Sequence, residues 1–323
     1  MSISNKHIFI TGGTGSLGQI LTKKLLADNN MITVYSRDEG KQALIYGQSD
    51  GVKCVIGDIR DFDKLTVSIK RAAPDYIIHT AALKRIDDME FHPDECVKTN
   101  INGSENVARA ALEHNVERCI LISTDKACLP VNVYGSSKFI AERIFSNYDF
   151  NSTSTIFASV RYGNVIASRG SFIPLWVDMI NNKQPLKVTS ENMTRFLFTL
   201  EDAANTVLTA MVTAVGGEVF IPQLDSYTLR DCIEALSVML NTKPEEEIIG
   251  LRPGEKLHED MLAVTELDFT YEVPNQNLLQ IRPQCTNKEY QKFKKYTGLE
   301  FNSKLWVNNN ITELMSLIKR GLL

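Results

Sequence analysis

Tyr134 and Lys138 stand four residues apart in Tyr134-Gly135-Ser136-Ser137-Lys138, downstream of the apolar run Ile120-Leu121-Ile122-Ser123 and the triplet Thr124-Asp125-Lys126. On a helix that begins near Tyr134, positions four apart share a face, so the phenol and the ammonium group lie side by side. A fixed positive charge favours phenolate. A phenol that titrates near pH ~10 in water is then expected to move toward neutrality, as suits a base that takes a proton from a hydroxyl group. A lone Tyr-x-x-x-Lys is more often a surface pair. Two features favour chemistry here: Thr124-Asp125-Lys126 follows a strand directly, at the carboxyl end where open parallel sheets bind ligands, and the same chain carries a dinucleotide fingerprint.

That fingerprint is Gly12-Gly13-Thr14-Gly15-Ser16-Leu17-Gly18, set between a strand at residues 8–11 and a helix whose apolar face is Leu21, Leu25 and Leu26. Its glycines permit positive backbone dihedrals and let the main chain approach a pyrophosphate at a helix N-terminus. A second strand, residues 31–36, ends in Ser36-Arg37. An acid at this point selects the ribose hydroxyl of NAD and an arginine the 2′-phosphate of NADP. Arg37, with Lys41 behind it, favours NADP over NAD, while Asp38-Glu39 pulls the other way. Residues 52–56 form a third strand ending in Gly57-Asp58-Ile59, where Asp58 either meets the adenine amino group or caps a helix starting near Asp61. A fourth strand, residues 75–79, runs into Thr80-Ala81-Ala82, small enough for a cofactor to lie against, with Lys84 beyond them placed for a substrate phosphate or hydroxyl. Residues 93–114 read as one long helix containing Asn100. Strands alternating with helices make the fold class α/β, a Rossmann-like doubly wound parallel sheet.

Beyond a sixth strand at residues 155–160 the pattern loosens. Helices recur at 200–215 and 229–240, with a strand at 217–222 between them. Two cation-bearing loops, Met193-Thr194-Arg195-Phe196 and Leu251-Arg252-Pro253-Gly254-Glu255-Lys256, suit clamps for a second diphosphate. The apolar stripe Ile311, Leu314, Ile318 and Leu322 reads as packing.

Composition narrows the class. The 323 residues carry 35 basic and 39 acidic side chains, a net charge of -4, with no basic block, which argues against nucleic acid as a partner. Six cysteines (Cys54, Cys96, Cys119, Cys128, Cys232 and Cys285) form no C-x-x-C pair, as fits a reducing cytosol. No apolar run approaches the ~18 residues of a spanning helix, and Ile8-Phe9-Ile10 runs straight into the glycine loop without a signal-peptide pattern. The expectation is a soluble, cytoplasmic protein with no membrane partner and no metal.

With the glycine turn, Tyr134-x-x-x-Lys138 and the later loops together, the chain resembles the extended short-chain dehydrogenase/reductases that act on nucleotide sugars, over nearly its whole length. Ser123-Thr124-Asp125-Lys126-Ala127, the Asn132-x-Tyr134-Gly135 spacing, Met193-Thr194-Arg195-Phe196 and Arg252-Pro253-Gly254-Glu255-Lys256 are similar to the UDP-N-acetylglucosamine 4,6-dehydratases of the 5-epimerising kind. Thr80 in an Ala-rich turn and Cys128 at an ordinarily aliphatic position depart locally. The resemblance implies an NADP-binding domain of residues 1–178 plus about 200–224, interleaved with a UDP-sugar lobe of 179–199 and 225–323. It also implies a homo-oligomer paired through the helices from Pro93 and Tyr134. UDP-N-acetylglucosamine would meet Lys84, Asn164, Val165, Arg195, Arg252 and Glu255.

By the same resemblance, Tyr134 with Lys138 takes the proton of the sugar 4-hydroxyl, Thr124 bonds the 4-oxygen, and Asp125 and Lys126 serve as acid and base at carbons 5 and 6. The retaining relatives carry Asp-Glu at that pair. For an amine to act as base it must lose its charge. Desolvation and nearby cations favour that loss, Asp125 opposes it, and the sequence leaves the balance open. A 4-epimerase on the same scaffold, or a non-catalytic NADP-binding regulator, are the competing readings.

Overall fold

The computed structural model describes residues 3–322 except 167, 169, 285–288 and 291, so Arg169 and Cys285 lie outside the described residues. Its large sheet is built first from six strands: β1 (His7–Thr11), β2 (Met31–Ser36), β3 (Val52–Ile56), β4 (Tyr76–His79), β5 (Arg118–Ile122) and β6 (Ile156–Val160). They are parallel, in the order β3-β2-β1-β4-β5-β6. The strand order reverses between β1 and β4, which opens a crevice at their carboxyl ends.

Alternation along the strands explains why both faces are covered. Ile8 and Ile10 of β1 pack with Leu21 and Leu25 of helix Ser16–Ala27 and with Ala203, Val207 and Met211 of helix Leu200–Thr213. Phe9, between them, faces the other way, into a layer with Leu65, Ile69, Val107, Ala111, Ala141 and Phe145. Successive strand residues point to opposite faces, so one strand binds two helical layers.

The remaining strands are β7 (Asn164–Val165), β8 (Leu186–Val188), β9 (Thr194–Phe198), β10 (Val219–Pro222), β11 (Ser226–Thr228), β12 (Glu246–Ile248), β13 (Asp260–Leu262), β14 (Thr270–Glu272), β15 (Leu278–Ile281) and β16 (Phe301–Asn302). β10 joins the large sheet parallel to β6, as the strand expected at 217–222. The antiparallel pair β14 and β15 then extends the sheet from β10. This corrects the division read from the sequence, which left residues 270–281 in the smaller lobe. The free edge of β10 offers unpaired N–H and C=O groups, and a hairpin that satisfies them belongs to the sheet whatever its place in the chain. The smaller lobe has its own core, in which Trp176, Leu186, Val188, Leu229, Ile233 and Leu236 meet Leu314 and Ile318 of the final helix. Of the expected terminal stripe, Leu322 stays 41% exposed.

The helix expected over 93–114 is continuous but not uniform. Pro93–Cys96 passes into a π-helical segment, Val97–Asn102, before Gly103–Glu113 resumes α geometry. Widened turns of this kind re-aim side chains at functional sites, and Asn100 lies inside this one. Among the described residues no helix is long and apolar enough to cross a membrane.

Candidate active site

Thr124, Asp125 and Lys126 leave β5 at its carboxyl end, and Asp125–Ala127 forms a short 3-10 turn. Helix Val133–Phe150 begins six residues later, capped by Asn132, whose side chain accepts from Gly135 N–H at 2.6 Å. A methyl group at Gly135 would collide with the carbonyl oxygen of Lys126. Glycine there lets the first turn of the helix sit directly on the triplet, which brings Tyr134 and Thr124 within hydrogen-bond reach.

The groups in this crevice are coupled. Thr124 Oγ1 donates to Asp125 Oδ1 at 2.8 Å, and Lys126 Nζ donates to the same oxygen at 3.0 Å. Lys126 Nζ also lies 3.3 Å from Glu259 Oε1, and Arg195 Nε lies 3.8 Å from that oxygen. Asp125 Oδ2, Glu259 Oε2 and Asn164 Oδ1 are buried with no partner among the described residues. Removal from water costs such atoms free energy unless a ligand meets them.

The electrostatics differ from the sequence expectation in one respect. Burial pushes the Tyr134 phenol up to about 12, and the cation that pulls it back most is Lys126, followed by the Thr124 hydrogen bond. Lys138, which the sequence credits with that role, is buried and is itself pushed down to about 8 by desolvation, with Glu142 opposing. Helical spacing puts the two side chains together but says nothing of how deeply both are withdrawn from water.

The dinucleotide crevice fits its expected occupant. Gly12 has φ +70°, and a methyl group there would stand 2.7 Å from Ala81 N, so only glycine lets the turn close against Thr80-Ala81-Ala82. Gly15 stands at the N-cap of helix Ser16–Ala27, and an α-helix N-terminus is the end that favours an anion. Gly13 and Thr14 belong to the same turn, and Ser16 and Gly18 to the first turn of the helix that follows. Leu17 and Ile59 turn their side chains inward, at 9% and 4% exposure, so each offers the crevice only backbone. Thr80 Oγ1 donates to Thr11 O at 2.7 Å, and Asn100 bonds both the N–H and the C=O of Leu83, at 2.8 and 2.9 Å. These bonds fix the loop that carries Ala82 and the exposed Lys84.

At the far end, Ser36 Oγ accepts from Gln42 at 2.9 Å and Arg37 lies exposed, 3.8 Å from Asp58. Lys41 pairs with Asp38 at 2.7 Å. Asp58 caps no helix: Asp61 does, while Asp58 accepts from the Arg60 guanidinium at 2.6 and 2.9 Å. Arg60, which the sequence reading passed over, shares a pocket with Asp58, Asp61 and Asn102.

The residues expected at the substrate divide. Asn164 and Val165 pair with Leu197 and Phe198 of β9. Arg252 is exposed and bonds Glu255 at 3.2 Å and Asp87 at 3.2 Å. Arg195 is buried, and its guanidinium bonds the carbonyls of Thr194, Lys256 and Leu257 and the carboxylate of Glu255. This alters the reading of Arg195 as a free diphosphate clamp, because its donors are already committed to the loop that follows Arg252. The sequence also missed Glu259. It stands in a polar stretch, His258-Glu259-Asp260, with no local sign of burial, yet it is 2% exposed.

Residues 8–280 match the family model described as polysaccharide biosynthesis protein. A UDP-N-acetylglucosamine 4,6-dehydratase (inverting) of Campylobacter jejuni is 42% identical, over 84% of this chain and 82% of its own. A UDP-glucose 4-epimerase of Rickettsia bellii is 38% identical, over 81% and 79% respectively. The crystal structure of Pen from Bacillus thuringiensis superposes with a TM-score of 0.91 at 32% identity, covering 100% of both chains. The fold, the crevice and these matches agree: the chain belongs to the polysaccharide biosynthesis protein family.

Proposed function

We propose that this protein is a UDP-N-acetylglucosamine 4,6-dehydratase that inverts carbon 5 and holds NADP. The observation that carries the reading is the pair of buried Asp125 and partly buried Lys126, 3.0 Å apart, beside Thr124 and Tyr134. A 4-epimerase needs the tyrosine and its lysine but no acid and base at carbons 5 and 6. The relative named for inverting dehydration supports the same choice.

When bound, the oxidised nicotinamide supplies a hydride acceptor, and later a donor, together with a positive charge. Tyr134 takes the proton of the 4-hydroxyl, and Thr124 orients the 4-oxygen. The resulting ketone acidifies the proton on carbon 5. Asp125 and Lys126 then move protons at carbon 5 and at the departing 6-oxygen, and inversion requires the proton to return to the opposite face of carbon 5. Asn164, Val165, Arg252, Glu255 and Lys84 line the approach for the UDP-sugar, with Arg195 holding the Glu255 loop in place. Arg37 and Lys41 support NADP over NAD, each needing to exchange an acidic neighbour for the 2′-phosphate. Exposed Val97, Phe139 and Ile140, on the two helices expected to pair, support a homo-oligomer.

Incubation of the purified protein with UDP-N-acetylglucosamine tests the reading. The expected product has lost one water and is the L-arabino 4-keto-6-deoxy sugar, carrying deuterium at carbon 5 when made in deuterium oxide. The Rickettsia relative named UDP-glucose 4-epimerase favours a second reading. A product of unchanged mass with inverted carbon 4 would establish that one, and a D-xylo product would overturn inversion alone.

A further inference from the structure

Glu259 is an acid that neither the motifs nor the matched names assign, and its backbone is pinned from both sides. Its N–H donates to Ser303 Oγ at 2.8 Å, and its carbonyl accepts from Ser303 N–H at 2.8 Å. Ser303 in turn bonds Thr194 Oγ1 at 2.6 Å. Three segments distant in sequence therefore fix where the carboxylate points. It points at Lys126, 3.3 Å from Nζ, on the side not taken by Asp125. Arg195 Nε, at 3.8 Å from the same oxygen, keeps Glu259 from standing as an uncompensated buried charge.

We infer that Glu259 is a positioning residue of the elimination site, holding Lys126 as an ammonium ion between two carboxylates so that Lys126 gives a proton while Asp125 takes one. The inference deepens the dehydratase reading and rests on it. Among the described residues, the charged groups facing Lys126 are Asp125, Glu259 and Arg195, and the Tyr134 phenol is the titratable group beside them. Burial works to discharge the lysine, but Asp125 and then Glu259 outweigh it, Arg195 opposing, and its pKa ends above the ordinary lysine value. To the balance that the sequence left open, Glu259 adds a second carboxylate, 133 positions further along the chain than Lys126. In the step itself, the carbon 5 proton passes to the unpartnered Asp125 Oδ2, and the electron pair of that bond becomes the second bond between carbons 5 and 6. The bond from carbon 6 to oxygen breaks, and the departing oxygen takes the proton of Lys126 to leave as water. Asp125 ends neutral, Lys126 ends as an amine, and no oxidant or further reactant is consumed.

Two measurements test this. In Glu259→Gln, which keeps size and removes charge, the alkaline limb of the kcat profile for dehydration is expected to move to lower pH by about one unit or more. Glu259→Asp is expected to restore most of the shift. An unmoved limb in a folded Glu259→Gln protein would overturn the inference. The second measurement uses the native protein without turnover: the Cε carbon-13 shift of Lys126, assigned with Lys126→Arg, should remain that of an ammonium from about pH 6 to about pH 10. Titration near neutrality would equally overturn it, even if Glu259→Gln does not fold. Because the titration needs no substrate, its failure is distinct from failure of the dehydratase reading, which shows as no loss of water by the native enzyme.

Discussion

Asn132 bonds both lobes at once: its Oδ1 caps the N-terminus of helix Val133–Phe150, and its Nδ2 donates to the carbonyl oxygen of Gly254 at 2.7 Å. The residue that starts the Tyr134 helix therefore also ties down the loop bearing Arg252 and Glu255. Arg252 fastens the other side of that loop to Asp87, just beyond Lys84. The position of the 252–255 loop and that of Tyr134 are thus linked through one side chain.

Asn132→Asp should separate the two roles. An aspartate keeps the cap but loses the donor to Gly254, so the thermal midpoint should stay within a few degrees while KM for the UDP-sugar rises several-fold. Asn132→Ala loses both and should destabilise the fold by about 1 kcal/mol as well. Calorimetry alongside steady-state kinetics checks the pair, and an unchanged KM in Asn132→Asp would show that the loop does not depend on this bond.

Arg37→Ala should weaken NADP binding and leave NAD binding nearly unchanged. The loss is that of a charge-assisted hydrogen bond, roughly 1.5–3 kcal/mol. Titration calorimetry with both dinucleotides measures it. Equal losses for the two would remove the case for the 2′-phosphate.

Arg161 has no exposed surface and bonds Glu142 at 2.8 Å, Glu266 at 3.0 Å and the carbonyl of Met261 at 2.9 Å. Glu142 also accepts from Ser123 at 2.5 Å and faces Lys138. Arg161→Met takes their bonded cation from the buried Glu142 and the partly buried Glu266, which should cost about 3–5 kcal/mol. The drop is read from urea unfolding. Replacing Glu142 by Gln in the same background should return part of it, and a single variant as stable as the parent would show that the cluster contributes nothing net.

His79 is buried between Thr11 Oγ1 at 2.7 Å and Ser104 Oγ at 3.0 Å. Burial, aided by the Lys138 charge, pushes its pKa down to about 3. The unfolded chain takes up a proton near pH ~6.5 that the folded ring refuses, so this contribution is fully present above that pH and is lost as pH falls toward about 3. Below the unfolded pKa the slope approaches about 1.4 kcal/mol per pH unit. His7 and His258, also lowered by burial, add to the slope in the same direction. Unfolding free energies measured from about pH 7 to about pH 5 should fall, and fall less steeply in His79→Gln. An identical slope would assign the dependence to other groups.

The parallel sheet, the glycine turn and the Tyr134 helix were legible in the chain because each is local: period-2 and period-3.6 patterns and a glycine spacing carry their own geometry. Thr124-Asp125-Lys126 was legible for the same reason, as three consecutive residues after a strand. Other features were not local. The hairpin β14 and β15 extends the large sheet from the edge of β10, with Val273, Leu278, Leu279 and Ile281 buried, and that edge is not visible from residues 270–281 themselves. Arg195 reads as a surface cation until the fold folds the 255–259 loop around its guanidinium. Burial, Asp125 and Glu259 act together on the charge of Lys126, and burial above all raises the Tyr134 phenol. Residue type fixed which groups can exchange protons. Desolvation and the distances between segments remote in sequence, which exist only once the chain has folded, decided which way each proton is held.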